Sequence, residues 1–174
     1  MRKLKRKYKR PRSPWNKVQI KEDQSLLKEY GLRRKKEIWL AQQILRNFRQ
    51  RARSLAAEGD KEKEKVLIAR LKRLGLLSKA GATIDDVLGM TINNVLSRRL
   101  QTIVFSKGLA KTPMEARQLI VHGHVRVGGT RMLFPSFIVP AELEGSISVT
   151  RAEQPEVHPH KVPAEPAEPA GVEA

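Results

Sequence analysis

The stretch RRLQTIVFSKGLAKTPMEARQLIVHGHVRVGG, Arg98 to Gly129, governs how the rest of the chain is read. With the preceding INNVLS it places Ile92, Val95, Leu96, Leu100, Ile103 and Val104 at helical spacing over 92–105, leaving Arg98 and Arg99 off that stripe. Ser106–Lys107–Gly108 then forms a turn. Thr112–Pro113–Met114–Glu115 is a helix start: Thr112 caps, Pro113 suits the first turn, and Glu115 completes a capping box. That helix runs to about Val121, with Met114 or Ala116, Leu119 and Ile120 inward and Gly123 at its end. The period then changes. His124–Val125–Arg126–Val127 alternates, putting Val125 and Val127 on one face and His124 and Arg126 on the other. Gly128–Gly129 signals a tight hairpin, and Phe137–Ile138–Val139 and Ser146–Ile147–Ser148–Val149 are two more short strand candidates. The expected unit, 91–150, is two helices followed by a small antiparallel sheet.

Upstream, 21–90 reads as a helical subdomain. KEDQSLLKEY (21–30) is a short helix stopped by Gly31. Residues 33–57 form the longest helical pattern, with Ile38, Ala41, Leu45, Phe48, Ala52 and Leu55 on one stripe and Gly59 as its stop. Asp60 can cap a helix over 61–74 that turns Val66, Leu67, Leu71 and Leu74 inward. Thr83 with Asp86 forms a capping-box pattern for one further short helix. The fold class is therefore α+β: a basic arm over 1–20, the helical subdomain, the helix-and-sheet module, and a Pro/Ala/Glu-rich acidic tail over 151–174 expected to be disordered.

Charge separates these parts. The 174 residues carry 35 Lys and Arg against 18 Asp and Glu, a formal net charge of +17. Residues 1–55 hold +15 of it, whereas 151–174 carry −3. Such a chain repels itself unless an anionic partner neutralises it. With no cysteine, a disulfide framework, thiol chemistry and a Cys-based zinc site are excluded. No run of 18 apolar residues is present, so no membrane partner is expected. The expectation is an intracellular nucleic-acid binder that needs no cofactor or metal. His158 and His160 alternate with proline in the tail and read as solvated rather than as ligands.

Candidate contacts follow from charge and placement. In the arm they are Lys3, Lys5, Arg6, Lys7, Lys9, Arg10 and Arg12, where Pro11 and Pro14 block a continuous helix. On the long helix, Arg46, Arg49 and Arg53 share a face with few acids nearby. In the module, Arg98, Arg99, Lys107, Lys111, Thr112, Arg117, Gln118 and His122 lie within reach of one surface, to which the strands add His124 and Arg126 and the hairpin Arg131. Guanidinium forks, ammonium charges and neutral donors together suit a folded phosphate backbone. Arg117 is the foremost candidate, with Arg117→Ala expected to weaken RNA binding and leave the fold intact. Only eight residues are aromatic and no aromatic pair sits mid-strand, which disfavours sheet-type single-strand readers.

Arg98–Met114 and Glu115–Gly129 resemble the RNA-binding module named after ribosomal protein S-four. YGLRRKKEIWLAQQILRNFRQRA (Tyr30–Ala52) and RLKRLGLL (Arg70–Leu77) resemble the helical part of the archaeal form of that small-subunit protein, so the likeness covers roughly 5–150. The resemblance implies a cytoplasmic, ribosome-bound structural constituent. It implies a primary binder of small-subunit ribosomal RNA that nucleates the subunit body and supports accuracy. By the same resemblance its neighbours are ribosomal proteins five and twelve, and messenger RNA where it enters the subunit. The matched motif residues are Arg98, Arg99, Lys107, Thr112, Arg117, Gln118, His122, His124 and Arg126. Gln101 stands where many relatives carry Asp, and Gly128 replaces a common hairpin Asn.

Other functions share parts of this pattern. An RNA-modifying enzyme would need a cofactor loop or paired buried carboxylates, and Asp85 and Asp86 read instead as first-turn helix acids. A DNA-reading helix would need an outward row of base-contacting side chains, and 113–121 offer only Arg117 and Gln118. A free-standing RNA chaperone would not need the long basic extension.

Overall fold

A computed structural model describes residues 7–77 and 81–150. The arm candidates Lys3, Lys5 and Arg6 and the whole 151–174 tail lie outside the described residues. Among the described residues, seven α-helices, a 3₁₀ turn and three short strands follow in order.

Helix α1 spans Lys17–Glu29 and starts before residue 21, because the Asn16 side chain accepts a hydrogen bond from the Val18 amide. Helix α2 spans Lys35–Glu58 and buries Ile38, Ala41, Leu45, Phe48 and Ala52, the stripe read from the sequence. Gly59 closes it in the left-handed conformation. Helix α3, Lys61–Arg73, departs from expectation twice. Asp60 makes no capping hydrogen bond and pairs with Lys63 instead, and Val66 is 70% exposed. Leu67 and Leu71 carry the burial. Helix α4, Ile84–Gly89, has the Thr83–Asp86 capping box.

The helix expected over 92–105 is two helices, α5 Ile92–Ser97 and α6 Leu100–Ser106. Arg99 is extended (φ −71°, ψ 142°), and the Thr102 hydroxyl takes the Leu96 carbonyl that a continuous helix would have used. A second capping box, Thr91 with Asn94, starts α5. Helix α7 spans Pro113–Val121, capped by Thr112 as the sequence indicates. Glu115 reaches the Lys111 amide rather than that of Thr112. On α7 Ala116 is buried and Met114 exposed.

Strands β1 (Val125–Val127), β2 (Thr130–Arg131) and β3 (Ile147–Val149) form an antiparallel sheet in the order β2-β1-β3. The two-residue Gly128–Gly129 turn joins the first pair. Residues 137–139 do not form the third strand expected of them. Pro135 and Pro140 flank the segment and lack ladder donors, so it makes a single bridge, Ile138 to Arg99. The carbonyl of Phe137 accepts from the Leu100 amide, and the Val139 amide donates to the Arg98 carbonyl.

Two apolar cores result. One runs from Leu32 through α2, α3 and α4 to Val95 and Leu96; the other starts at Leu100 and takes in Ile103, Val104, Ala116, Ile120, Val125 and Val139. Helix α5 therefore packs with the N-terminal helices, and the two cores part between Leu96 and Leu100. Side chains such as Leu71, Leu100 and Ile120 are fully buried, and truncating any one to Ala costs about 2–5 kcal/mol.

Candidate nucleic-acid interface

The module's basic residues divide into an inner and an outer set. The inner set clamps the two cores together. Arg99 is 5% exposed, and its guanidinium donates to the Glu37 carboxylate on α2 at 2.5 Å. Arg117 on α7 donates to the same carboxylate at 3.1 Å. Burial pushes the Glu37 carboxyl up, but the Arg117 hydrogen bond and the charges of Arg99 and Arg117 outweigh it and hold the group below its ordinary value. Burial pulls Arg99 down from the usual arginine range, against the opposing effect of Glu37.

Gln101, fully buried, completes this knot. Its amide donates to the Gly31 and Pro113 carbonyls at 2.8 and 2.9 Å, and its oxygen lies 3.4 Å from Arg117. A neutral amide can serve carbonyls and a guanidinium at once; an Asp here could accept only. Gly31 sits at φ +58°, and a Cβ there would lie 2.6 Å from Pro113, so only glycine allows the approach.

Arg98 is also turned inward. It donates to Glu144 at 2.6 Å and to the Val139 carbonyl at 3.0 Å, with its guanidinium packed against Gly75. Arg49 on α2 is half-buried and donates to the Met90 carbonyl at 2.5 Å. For Arg49, Arg98, Arg99 and Arg117 the structure thus supplies protein partners. Arg49 thus parts from Arg46 and Arg53, which are exposed. The sequence signal for the inner set is Glu37, the acid that directly follows the basic run Arg33 to Lys36.

The outer set gathers at the end of α7 and on the sheet. Arg126 and Arg131 are register partners across β1 and β2, both exposed. Arg131 donates to the His122 carbonyl at 2.9 Å, and the His122 and His124 rings stack with centroids 6.4 Å apart. None of these four forms an ion pair with an acid among the described residues. Like charges set opposite each other on a sheet repel, and no described acid offsets this pair. Lys111 and Gln118 are exposed nearby in sequence, Thr112 serves as the α7 cap, and Lys107 turns its ammonium to the Glu144 carbonyl. In the arm, Lys7, Lys9, Arg10 and Arg12 are exposed.

The S4 domain family model matches residues 98–144, beginning at the boundary between the two cores. Over 140 residues the chain is 51% identical to the small ribosomal subunit protein uS4 of Sulfurisphaera tokodaii, covering 79% of each chain. It is 50% identical to that of Sulfolobus acidocaldarius over 79% of this chain and 80% of the relative. The chain belongs to the uS4 family. The uS4 protein of Saccharolobus solfataricus is 49% identical over 148 residues, which cover 83% of this chain and 82% of the relative. The uS4 relationship thus reaches beyond the S4 domain into the N-terminal helices, the part that supplies Glu37. No described helix is long and apolar enough to cross a membrane.

Proposed function

We propose that this chain is a structural constituent of the small ribosomal subunit that holds its RNA without catalysing a reaction. The observation that carries the reading is the exposed opposed pair Arg126 and Arg131, with exposed His122 and half-buried His124 beside it, none of the four ion-paired with a described acid. A phosphate backbone supplies the missing negative charge, and forked guanidinium donors fit its oxygens. Lys111 and Gln118 extend that face. Arg46, Arg53 and the arm residues Lys7, Lys9, Arg10 and Arg12 form a second contact region on the helical part. Recognition is then of RNA shape and backbone.

The inner set acts through position. Glu37, Arg99, Arg117 and Gln101 fix the module against α2, so both contact regions meet the RNA in one arrangement and less ordering is lost on binding. By resemblance, such a two-region grip suits an early RNA binder that nucleates the subunit body and supports decoding accuracy. Its protein neighbours are then ribosomal proteins five and twelve, near the messenger.

Sedimentation of cell lysate tests this reading. The protein is expected to migrate with small subunits and to leave them in high salt. Migration only as a free protein overturns it.

A further inference from the structure

A pocket apart from that surface lies between the N-terminal halves of α1 and α2, where Pro11, Pro14 and Trp15 cross them. It encloses about 250 Å³, room for one base rather than for a folded helix. Asp23 lines it and is 5% exposed, yet its carboxylate forms no hydrogen bond or ion pair with any described residue. Trp39 lines it as well, and its indole N–H is buried without a partner. Trp15, at the same pocket, leaves 87% of its surface open. Tyr8 stacks on Trp39 with centroids 5.8 Å apart, backing that wall.

A buried donor left unmade is costly, and the Asp23 carboxylate lines the same pocket with no described hydrogen-bond partner. Burial raises the Asp23 carboxyl above its ordinary value, with Lys35 opposing and Glu22 adding to the rise. What the pocket lacks is a flat ligand with N–H donors for the carboxylate and an acceptor for the indole.

We propose that this pocket takes one unpaired guanine of the bound RNA, with Asp23 accepting from its N1–H and N2–H groups. The Trp39 indole donates to a guanine ring acceptor, and Trp15 stacks on the base. Adenine would turn its N1 lone pair toward the carboxylate, and cytosine its N3. Uracil has one N–H between two carbonyl oxygens. An organic cation could meet Asp23 but would leave the indole N–H unpaired. It would also approach past Lys35 and the basic run Lys9, Arg10 and Arg12 that leads into the pocket. The same charges draw in a nucleotide's phosphate. This inference rests on the RNA-binding reading above and adds base selectivity to it.

Trp15 and Trp39 are the two tryptophans of the sequence and both line the pocket, so intrinsic fluorescence of the full chain reports on it. Guanosine, inosine, adenosine and xanthosine monophosphates carry the same phosphate, so differences among them read the base. Guanosine monophosphate should quench saturably, with inosine and adenosine monophosphates about tenfold weaker. Asp23→Asn presents a donor where an acceptor stood and should shift the preference to xanthosine monophosphate, a reversal that misfolding cannot produce. Trp15→Ala should weaken guanosine monophosphate by about tenfold with an unchanged circular dichroism spectrum. Equal responses to guanosine and adenosine monophosphates overturn the proposal, as does quenching by putrescine in place of any nucleotide. Binding of purified small-subunit RNA is measured alongside. Lost base preference with RNA binding retained overturns the guanine pocket alone, and loss of both overturns the RNA-binding reading too.

Discussion

Glu37 on α2 accepts a hydrogen bond from Arg117 on α7 at 3.1 Å, across 80 residues of sequence. Arg99 meets the same carboxylate from the other core. The side chains of Arg99 and Glu37 are 6% and 14% exposed, so this is an interior ion pair and not a surface one. Removing one partner of such a pair costs about 3–5 kcal/mol, because the other charge stays buried. Glu37→Gln should therefore lower the unfolding free energy by about 3 kcal/mol in urea or guanidinium titration. A change under about 0.5 kcal/mol, the size expected of a surface site, would show that the knot does not hold the cores together.

The same knot sets an acid limit. Glu37 has a folded-state pKa below its ordinary value of 4.5, so the unfolded chain takes up the proton first as pH falls. Its stabilising contribution is fully present above the unfolded value and is lost as pH drops through the folded one. Wild type should lose stability below about pH 4.5 more steeply than Glu37→Gln. Parallel pH profiles for the two would contradict the depressed carboxyl.

Arg117→Ala now has a different expected outcome from the one its sequence position suggests. It removes one donor from Glu37 and leaves Arg99 in place, so the loss should be smaller than for Glu37→Gln, about 1–3 kcal/mol. Stability, measured by denaturant titration, should fall before RNA affinity does. If RNA affinity collapses while stability is untouched, Arg117 meets phosphate directly.

Arg126→Ala addresses the outer set. The side chain is exposed and has no acidic partner among the described residues, so the fold should be indifferent to its loss. Binding to small-subunit RNA should weaken, and the salt slope should drop by about one unit. An unchanged slope would place Arg126 off the interface.

Gly31→Ala tests the approach of the two parts. The residue sits at φ +58°, with Pro113 where a Cβ would go. The left-handed conformation alone costs about 1–2 kcal/mol for a side-chain residue, and the contact adds to it. A Tm equal to wild type in a thermal melt would mean that the junction shifts freely.

How much of this was legible depends on what each residue's role requires. The α2 stripe, the Thr112 cap, the Gly128–Gly129 hairpin and the Val125/Val127 face are set by neighbours in sequence, and periodicity and turn chemistry expose them. The break at Arg98–Arg99 was hidden because Ile92 to Val104 keeps helical spacing through it; the cause is long-range, Arg99 reaching Glu37 and bridging to Ile138. The protein partners of the inner arginines were hidden for the same reason. A basic side chain reads as a phosphate contact until an acid from 62 residues earlier is found beside it. Val66 shows the converse, an apolar residue at a plausible inward position that faces water because α3 needs only Leu67 and Leu71 to seat.

The most direct test of the central claim is the salt dependence of full-length protein binding to purified small-subunit RNA. If the outer set, α2 and the arm together meet six to ten phosphates, affinity should fall by about three to five decades between 50 and 200 mM salt. An affinity that stays level across that range would contradict the account.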